Sequence, residues 1–281
     1  MSGILYLCAT PIGNLSDCTP RVIETLKEVD LIACEDTRVT RKLLSHFDIH
    51  AKTTSYHEHN RFDKARELAD ILHAGKNIAL VTDAGLPAIS DPGYELVSLC
   101  HDEGIAVTCL PGACALVTAL SASGIYPRRF IFEGFLPGKN EKKERLKILN
   151  QLKSEERTVI LYEAPHHLKI LLDDLLENLG DRKISLCREL TKKFEEIKRT
   201  TLSAAVSFYQ NNEPRGEYVI VIEGKSAEEL EEQSREAFSE LSIGEHFEMY
   251  VNMGFDKKEA MKRVASDRGV NRRDIYKELF T

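Results

Sequence analysis

Residues 77–93 read NIALVTDAGLPAISDPG. The apolar run at residues 78–81 has the composition of a buried strand. It leads straight into Asp83 and a turn carrying Gly85, Pro87, Asp91, Pro92 and Gly93. In an α/β protein the carboxyl end of a strand is where ligands sit, because the loops there are free to carry polar groups. Glycines and prolines restrict the backbone path here, and two carboxylates stand on it. An ordinary surface loop accounts for the Gly and Pro residues. A binding site accounts better for a rigid, acidic loop at a strand end.

Composition bounds what surrounds this loop. A length of 281 residues suits two domains plus an appendage. Apolar residues make up 42% and charged residues 30%, as in soluble globular proteins. No apolar run approaches the ~20 residues of a membrane span. The opening MSGILYLCATPIGN has neither a basic leader nor a long apolar core, so it reads as a first strand rather than a signal peptide. The seven cysteines (Cys8, Cys18, Cys34, Cys100, Cys109, Cys114, Cys187) are odd in number and never form C-x-x-C. Most lie in apolar runs and are expected as buried thiols of a reducing cytoplasm, with no disulfide and no bound metal.

Strands and helices alternate through the first part. LYLCAT, LIACED, TTSYH, the run before Asp83 and AVTCLPG read as strands. Thr19 caps the first helix and Pro20 opens it, with Val22, Ile23, Leu26 and Val29 on one face. Val39, Leu43, Leu44 and Phe47 mark the second helix; Phe62, Ala65, Leu68, Ala69 and Leu72 mark the third. This is the pattern of an α/β fold with a mainly parallel sheet. Around Pro127 the pattern restarts, with FIFEGF, TVILYEAP, KISLCREL and EYVIVIEG as strands and a helix between Pro165 and Gly180. The expected division is an α/β domain at 1–122, a second at 123–227, an acidic linker at 228–240 and a helical module at 241–281.

Two further strand-end turns, ATPIGNL and LPGACAL, are not the G-x-G-x-x-G fingerprint, and G-x-x-x-x-G-K-[ST] is absent, so neither NAD nor ATP is indicated. Small side chains in LPGACAL allow a flat ligand to approach the backbone. Together with CEDTRVTRKLL, SYHEHN, TDAGLPAISDPG and RELTKKFEE, these strings resemble the ribosomal RNA small-subunit methyltransferase I family, a branch of the tetrapyrrole methylase-like (class III) methyltransferases. The resemblance covers about residues 4–225 and returns at 241–281. It implies two α/β domains with S-adenosylmethionine in the interdomain cleft, followed by a small helix-turn-helix-like module. It also implies 2′-O-methylation of a cytidine ribose in small-subunit ribosomal RNA, free or within an assembled subunit, by a cytoplasmic homodimer without membrane contact. Carried over by position, the cofactor contacts are Pro11, Asp83, Leu86, Cys114, Ala115, Tyr162, Leu190 and Gly216. Taken singly, Tyr162 and Leu190 read as core residues.

On the acceptor side, CEDTRVTRKL offers Glu35, Asp36, Arg38 and Arg41, and SYHEHNR offers His57, His59 and Arg61. Asp36 also reads as a helix cap, and H-x-H without a third spaced ligand is a weak zinc signal. Arg38, Arg41 and Arg61 are candidates for phosphate contacts. A ribose hydroxyl must lose a proton during methylation, and Glu35, Asp36 and Lys192 are the candidate bases; Lys192 reads equally as a phosphate contact. Two other functions fit less well. A C-methylase of corrin or porphyrin precursors tends to show a Gly-rich first turn and needs no basic tail. A non-catalytic RNA- or DNA-binding protein leaves the rigid strand-end loops without a purpose.

From Gly254 onward, eight Lys/Arg stand against five Asp/Glu, in a chain whose net charge is −7. Ala260, Met261, Val264 and Ala265 mark one helix; Ile275, Tyr276 and Leu279 mark a second, with Asp267-Arg268-Gly269 between them and Asn271 as cap. The spacing fits a helix-turn-helix and a plain packing module equally. Arg272, Arg273 and Lys277 are the expected RNA contacts of the second helix, residues 273 and 277 lying one turn apart. Replacing all three is expected to raise the Kd for RNA and to flatten its salt dependence by about 0.7 per lost single-strand phosphate contact. Titrations at several salt concentrations check this; an unchanged slope with a lowered Tm identifies a packing module.

Overall fold

The computed structural model describes residues 2–226, 228, 229, 238 and 241–280. Five parallel strands form the first sheet: β1 (Ile4–Cys8), β2 (Leu31–Cys34), β3 (Thr53–Ser55), β4 (Ile78–Val81) and β5 (Ala106–Leu110), in the order β3-β2-β4-β1-β5. Side-chain alternation sends Leu5, Leu7, Ile78 and Leu80 to one face, under α3 (Arg61–His73) and α4 (Tyr94–Asp102). Cys8, Ile32, Ala79 and Val81 point the other way, under α1 (Pro20–Glu28) and α2 (Thr37–His46). Covered on both faces and flanked on both edges, β4 is wholly buried, which is why its sequence is a continuous apolar run rather than an alternating one.

The second sheet has the order β6-β7-β10-β8-β9 and comprises β6 (Phe130–Phe135), β7 (Thr158–Glu163), β8 (Lys183–Arg188), β9 (Glu196–Thr201) and β10 (Tyr218–Ile222). Only the β6–β7 pair is parallel. One face is covered by α6 (Lys142–Leu152), α7 (Pro165–Leu179) and α8 (Leu202–Gln210), through leucines such as Leu149, Leu168, Leu172 and Leu202. The other face is covered by α5 (Ala115–Ser123), whose Leu116, Ala119 and Leu120 pack on Ile160, Cys187, Val219 and Val221. The chain therefore leaves the first sheet at β5 and packs against the second sheet from the next helix onward.

Several sequence expectations shift. EIKRTT carries no apolar run, yet it forms β9, an edge strand held by pairing with β8 along its whole length. Phe62 and Val39, expected on buried helical faces, are exposed. Among the cysteines, Cys109 is exposed and Cys114 half-buried, the other five being buried. Most of the expected linker at 228–240 lies outside the described residues.

Three C-terminal helices, α9 (Ile243–Asn252), α10 (Lys257–Arg268) and α11 (Arg272–Phe280), share a separate small core of Phe247, Ala260, Met261, Val264, Ala265 and Ile275. A capping box of Ser242 and Glu245 opens α9. Asp267 and Arg268 belong to the last turn of α10 rather than to a loop, leaving Gly269 (φ 62°) as the left-handed stop. Both residues make side-chain contacts from there. Arg268 Nε donates to His246 Nδ1 at 3.2 Å, Asp267 accepts from the Tyr250 hydroxyl at 2.6 Å, and the fully buried His246 stacks on Phe238.

Burial holds the His246 imidazole below its ordinary pKa of 6.5, against the pull of Asp267. The folded module thus binds fewer protons than the unfolded chain, and its stability is full above about pH 6.5 and falls as the pH drops. Amide exchange across α9–α11 is expected to accelerate from pH 7 toward pH 5 beyond the intrinsic pH effect. In His246→Gln that excess is expected to vanish.

Candidate active site

The loops after β1 and β4 are bonded to each other. Thr10 N–H donates to the Gly85 carbonyl at 2.8 Å and Gly85 N–H returns a bond to Thr10 at 3.0 Å, while the Thr10 hydroxyl donates to the Thr82 carbonyl. This pair stands where the connections diverge to opposite sides of the sheet, the point at which open α/β sheets bind ligands. Beyond it the β4 loop holds Gly85, Ala88, Ser90 and Gly93 at φ of 91°, 67°, 63° and 155°. A Cβ on Gly93 would lie 2.8 Å from that of Ala88. Facing it from the second sheet, the loop after β8 holds Glu189 at φ 49° and Thr191 at φ 66°. Left-handed backbone costs a non-glycine residue about 1–2 kcal/mol. Four such residues in two facing loops mark a constrained site.

Between these loops lies a cavity of about 280 Å3. Its first-sheet wall carries Ile12, Asp83, Gly85, Leu86 and Asp91; Cys114 and Ala115 contribute from the start of α5. The second-sheet wall carries Phe135, Tyr162, Glu163, Glu189, Leu190, Lys192, Glu217 and Val219. Of the cofactor positions named from the sequence, Asp83, Leu86, Cys114, Ala115, Tyr162 and Leu190 therefore share one cavity. Pro11 and Gly216 stand one residue outside it, next to the lining Ile12 and Glu217. Gly216 (φ 76°) serves by closeness, since a Cβ there would lie 2.4 Å from Glu189 Cγ.

The carboxylates differ in character. Burial, with Glu35 adding repulsion and the Thr82 hydroxyl opposing, pushes Asp91 up to about 6. Desolvation also raises Asp83, whose Oδ1 accepts the Asp36 N–H at 3.2 Å. Glu35 accepts from the same Thr82 hydroxyl at 3.2 Å. Asp36 caps α2 through Arg38 N–H and binds the Arg38 guanidinium with both oxygens, which lowers it to about 2. Burial opposes the charge of Lys192, but hydrogen bonds to Glu217 at 2.8 Å and Glu189 at 3.0 Å outweigh it and raise its pKa. Two of the three candidate bases are thus poor proton acceptors: Asp36 is a guanidinium-bound cap, and Lys192 is an ammonium without a lone pair. Asp91, part of the acidic loop but not singled out as a base, has the better affinity for a proton. Its burial arises from chain segments distant in sequence.

Arg61 is engaged by Glu58 and by Glu95 at 2.9 Å, so its charge is already matched. Arg38 is bound to Asp36 yet exposed, and Arg41 is exposed on α2. Arg272, Arg273 and Lys277 are exposed on α11, in the separate C-terminal core's helices rather than on the cavity wall. The His57 and His59 rings meet edge-on with centroids 6.0 Å apart. Among the described residues no group of three or more His, Cys, Asp or Glu is arranged to hold a metal ion.

Residues 5–206 match the family model for tetrapyrrole (corrin/porphyrin) methylases. The chain is 53% identical to the ribosomal RNA small subunit methyltransferase I of Halalkalibacterium halodurans, over 98% of this chain and 93% of that protein. It is 50% identical to the protein of the same name from Bacillus subtilis, with the same coverage. Among solved structures, a cobalt precorrin-4 methyltransferase of cobalamin biosynthesis superposes with a TM-score of 0.57 at 20% identity, over 78% of this chain and 94% of that one; this likeness concerns the fold.

A hydrogen bond ties the start of α5 to the second-sheet wall. The Tyr162 hydroxyl, pushed up to about 12 by burial, accepts the Leu116 N–H of α5 at 3.0 Å. Its ring packs edge-on against Phe132 and Phe135. Tyr162→Phe leaves that N–H unsatisfied and is expected to cost about 1–3 kcal/mol, read as a lower midpoint in urea with an unchanged m-value.

Proposed function

Because this chain belongs to the tetrapyrrole methylase family, among the ribosomal RNA small subunit methyltransferases I, we propose that it transfers a methyl group from S-adenosylmethionine to small-subunit ribosomal RNA, at the ribose 2′-hydroxyl of a cytidine. The observation that carries this reading is the 53% identity over 98% of the chain, which includes the C-terminal module. A corrin methylase is supported only at the level of fold. A purely RNA-binding protein leaves the cavity and its strained loops unexplained.

The cavity residues fit the cofactor. Leu86, Ala115, Leu190 and Val219 offer apolar surface for a flat ring, and Asp83 offers an acceptor for an ammonium or ribose hydroxyls. When bound, S-adenosylmethionine supplies an electrophilic methyl group on a sulfonium. The chain's own work is to hold the acceptor in line, which can supply much of the rate, and to take the proton of the 2′-hydroxyl. Asp91 is the base this geometry favours, because burial and the nearby charge of Glu35 raise its affinity for a proton. Lys192, Glu189 and Glu217 form an ion cluster on the facing wall. Phosphate contacts fall to the exposed Arg38, Arg41, Arg272, Arg273 and Lys277, rather than to Arg61, which is half-buried and held by two carboxylates.

The reading extends to a homodimer acting in the cytoplasm. Exposed Val117, Tyr126 and Phe130 on the crossover between the sheets support a partner surface, and no helix among the described residues is long and apolar enough to cross a membrane.

Transfer of labelled methyl to small-subunit RNA, or to assembled subunits, followed by mapping of the modified nucleotide, tests the activity. Methyl found on a base, or none transferred, overturns the reading. Since Asp91 must be deprotonated to act, the single-turnover rate is expected to fall as the pH drops below about 6. Asp91→Asn is expected to slow transfer by ~10²–10⁴ and to remove that acid limb while cofactor binding persists.

A further inference from the structure

The last helix, α11, carries more than charge. Successive helical residues turn by about 100°, which sends Ile275 and Leu279 to the side that meets the module's core. Round from there, Arg272, Tyr276, Phe280, Arg273 and Lys277 follow within an arc of about 140°. Asp274 and Glu278 hold the remaining side. All three cations of the helix thus stand with its two aromatic rings, and both carboxylates stand apart.

The rings are in solvent: Tyr276 is 58% exposed and Phe280 51%. Their centroids lie 5.2 Å apart at an interplanar angle of 43°. Phe280 also meets the buried Phe247 edge-on, which ties the pair to the core of the module. The side chains of Arg272, Arg273 and Lys277 are exposed, and among the described residues none of them has an ion-pair partner. Arg268 differs, since it donates inward to His246 and to the Phe238 and Leu241 carbonyls.

A merely solvated face mixes the two signs of charge and keeps large rings inward. Unpaired cations beside exposed rings answer to a ligand with an anionic backbone and flat faces, which is single-stranded nucleic acid. Duplex RNA fits less well. Its major groove is too deep and narrow for side chains to read, so RNA sequence is read where bases are unstacked.

We propose that Tyr276 and Phe280 form a stacking platform for bases of a single-stranded RNA segment, with Arg272, Arg273 and Lys277 on its phosphates. The platform rests on the methyltransferase reading for its ligand, and it engages the RNA outside the cavity.

Stacking and ion pairing respond differently to salt. Losing a phosphate contact flattens the salt dependence of Kd, whereas losing a stacked ring does not. In the full-length protein, Tyr276→Leu combined with Phe280→Leu is expected to raise the Kd for a short unstructured oligocytidylate about tenfold or more. The salt slope and the affinity for a blunt RNA duplex stay unchanged. An unchanged Kd for the oligocytidylate, or an equal loss for the duplex, overturns the proposal. In the first case a lowered mass in sedimentation would assign the rings to a contact between two copies of the chain. A second variant serves should the first fail to fold. The chain has no tryptophan, so Tyr276→Trp places a single indole on the platform. Its emission is expected to be quenched by the oligocytidylate and not by the duplex. Emission that the oligocytidylate leaves unchanged, or that both quench alike, overturns the platform. Failure of the wild-type protein to methylate small-subunit RNA sinks the methyltransferase reading alone, because the binding and quenching measurements involve no methyl transfer.

Discussion

Two backbone hydrogen bonds exchanged between Thr10 and Gly85 join the loops that leave the carboxyl ends of β1 and β4. Much else depends on them. They close the sheet just beyond its last ladder bonds, so the acidic loop starts from a defined point rather than from a fraying strand end. The Thr10 hydroxyl adds a third tie, to the Thr82 carbonyl, and leaves the buried Thr82 side chain between Glu35 and Asp91. Burial first, and then the charge of Glu35, keep Asp91 above the usual carboxylate range, against the pull of the Thr82 hydroxyl.

The second organising element is α5. It continues the chain from the first sheet, yet its apolar face packs on the second, and its Leu116 N–H is bound by Tyr162 of β7. The small residues Cys114 and Ala115 at its start therefore face the cavity at a distance set by the other sheet. The facing loop is held in turn by Lys192, whose ammonium bridges Glu189 and Glu217. Its charge is tied up in holding the wall, and the two bonds favour the ammonium form.

Legibility from sequence varied with the origin of each feature. Helix caps and stops such as Thr19, Pro20 and Gly180 are local, and they stand where spacing placed them. The central strands of the first sheet, β1, β2 and β4, were equally legible because burial makes them continuous apolar runs. The edge strand β9 was not, since an exposed edge tolerates charges and is defined by its partner β8. Phe62 and Val39 fit helical periodicity but meet solvent, because periodicity states which residues share a face and not whether anything covers it.

The same division holds at the site. Sequence alone determined that rigid Gly- and Pro-containing turns follow the strands, that Asp83 and Asp91 stand on one of them, and that the terminal segment is a basic helical piece. Those properties are encoded by neighbours a few residues apart. Only the tertiary structure decided that Arg61 is bound to Glu95, that Asp91 is the carboxylate whose affinity for a proton is raised, and which residues of β6, β7 and the β8 loop line the cavity. Protonation and pairing depend on charges and burial contributed by segments dozens of residues away, and chain spacing carries no measure of those distances.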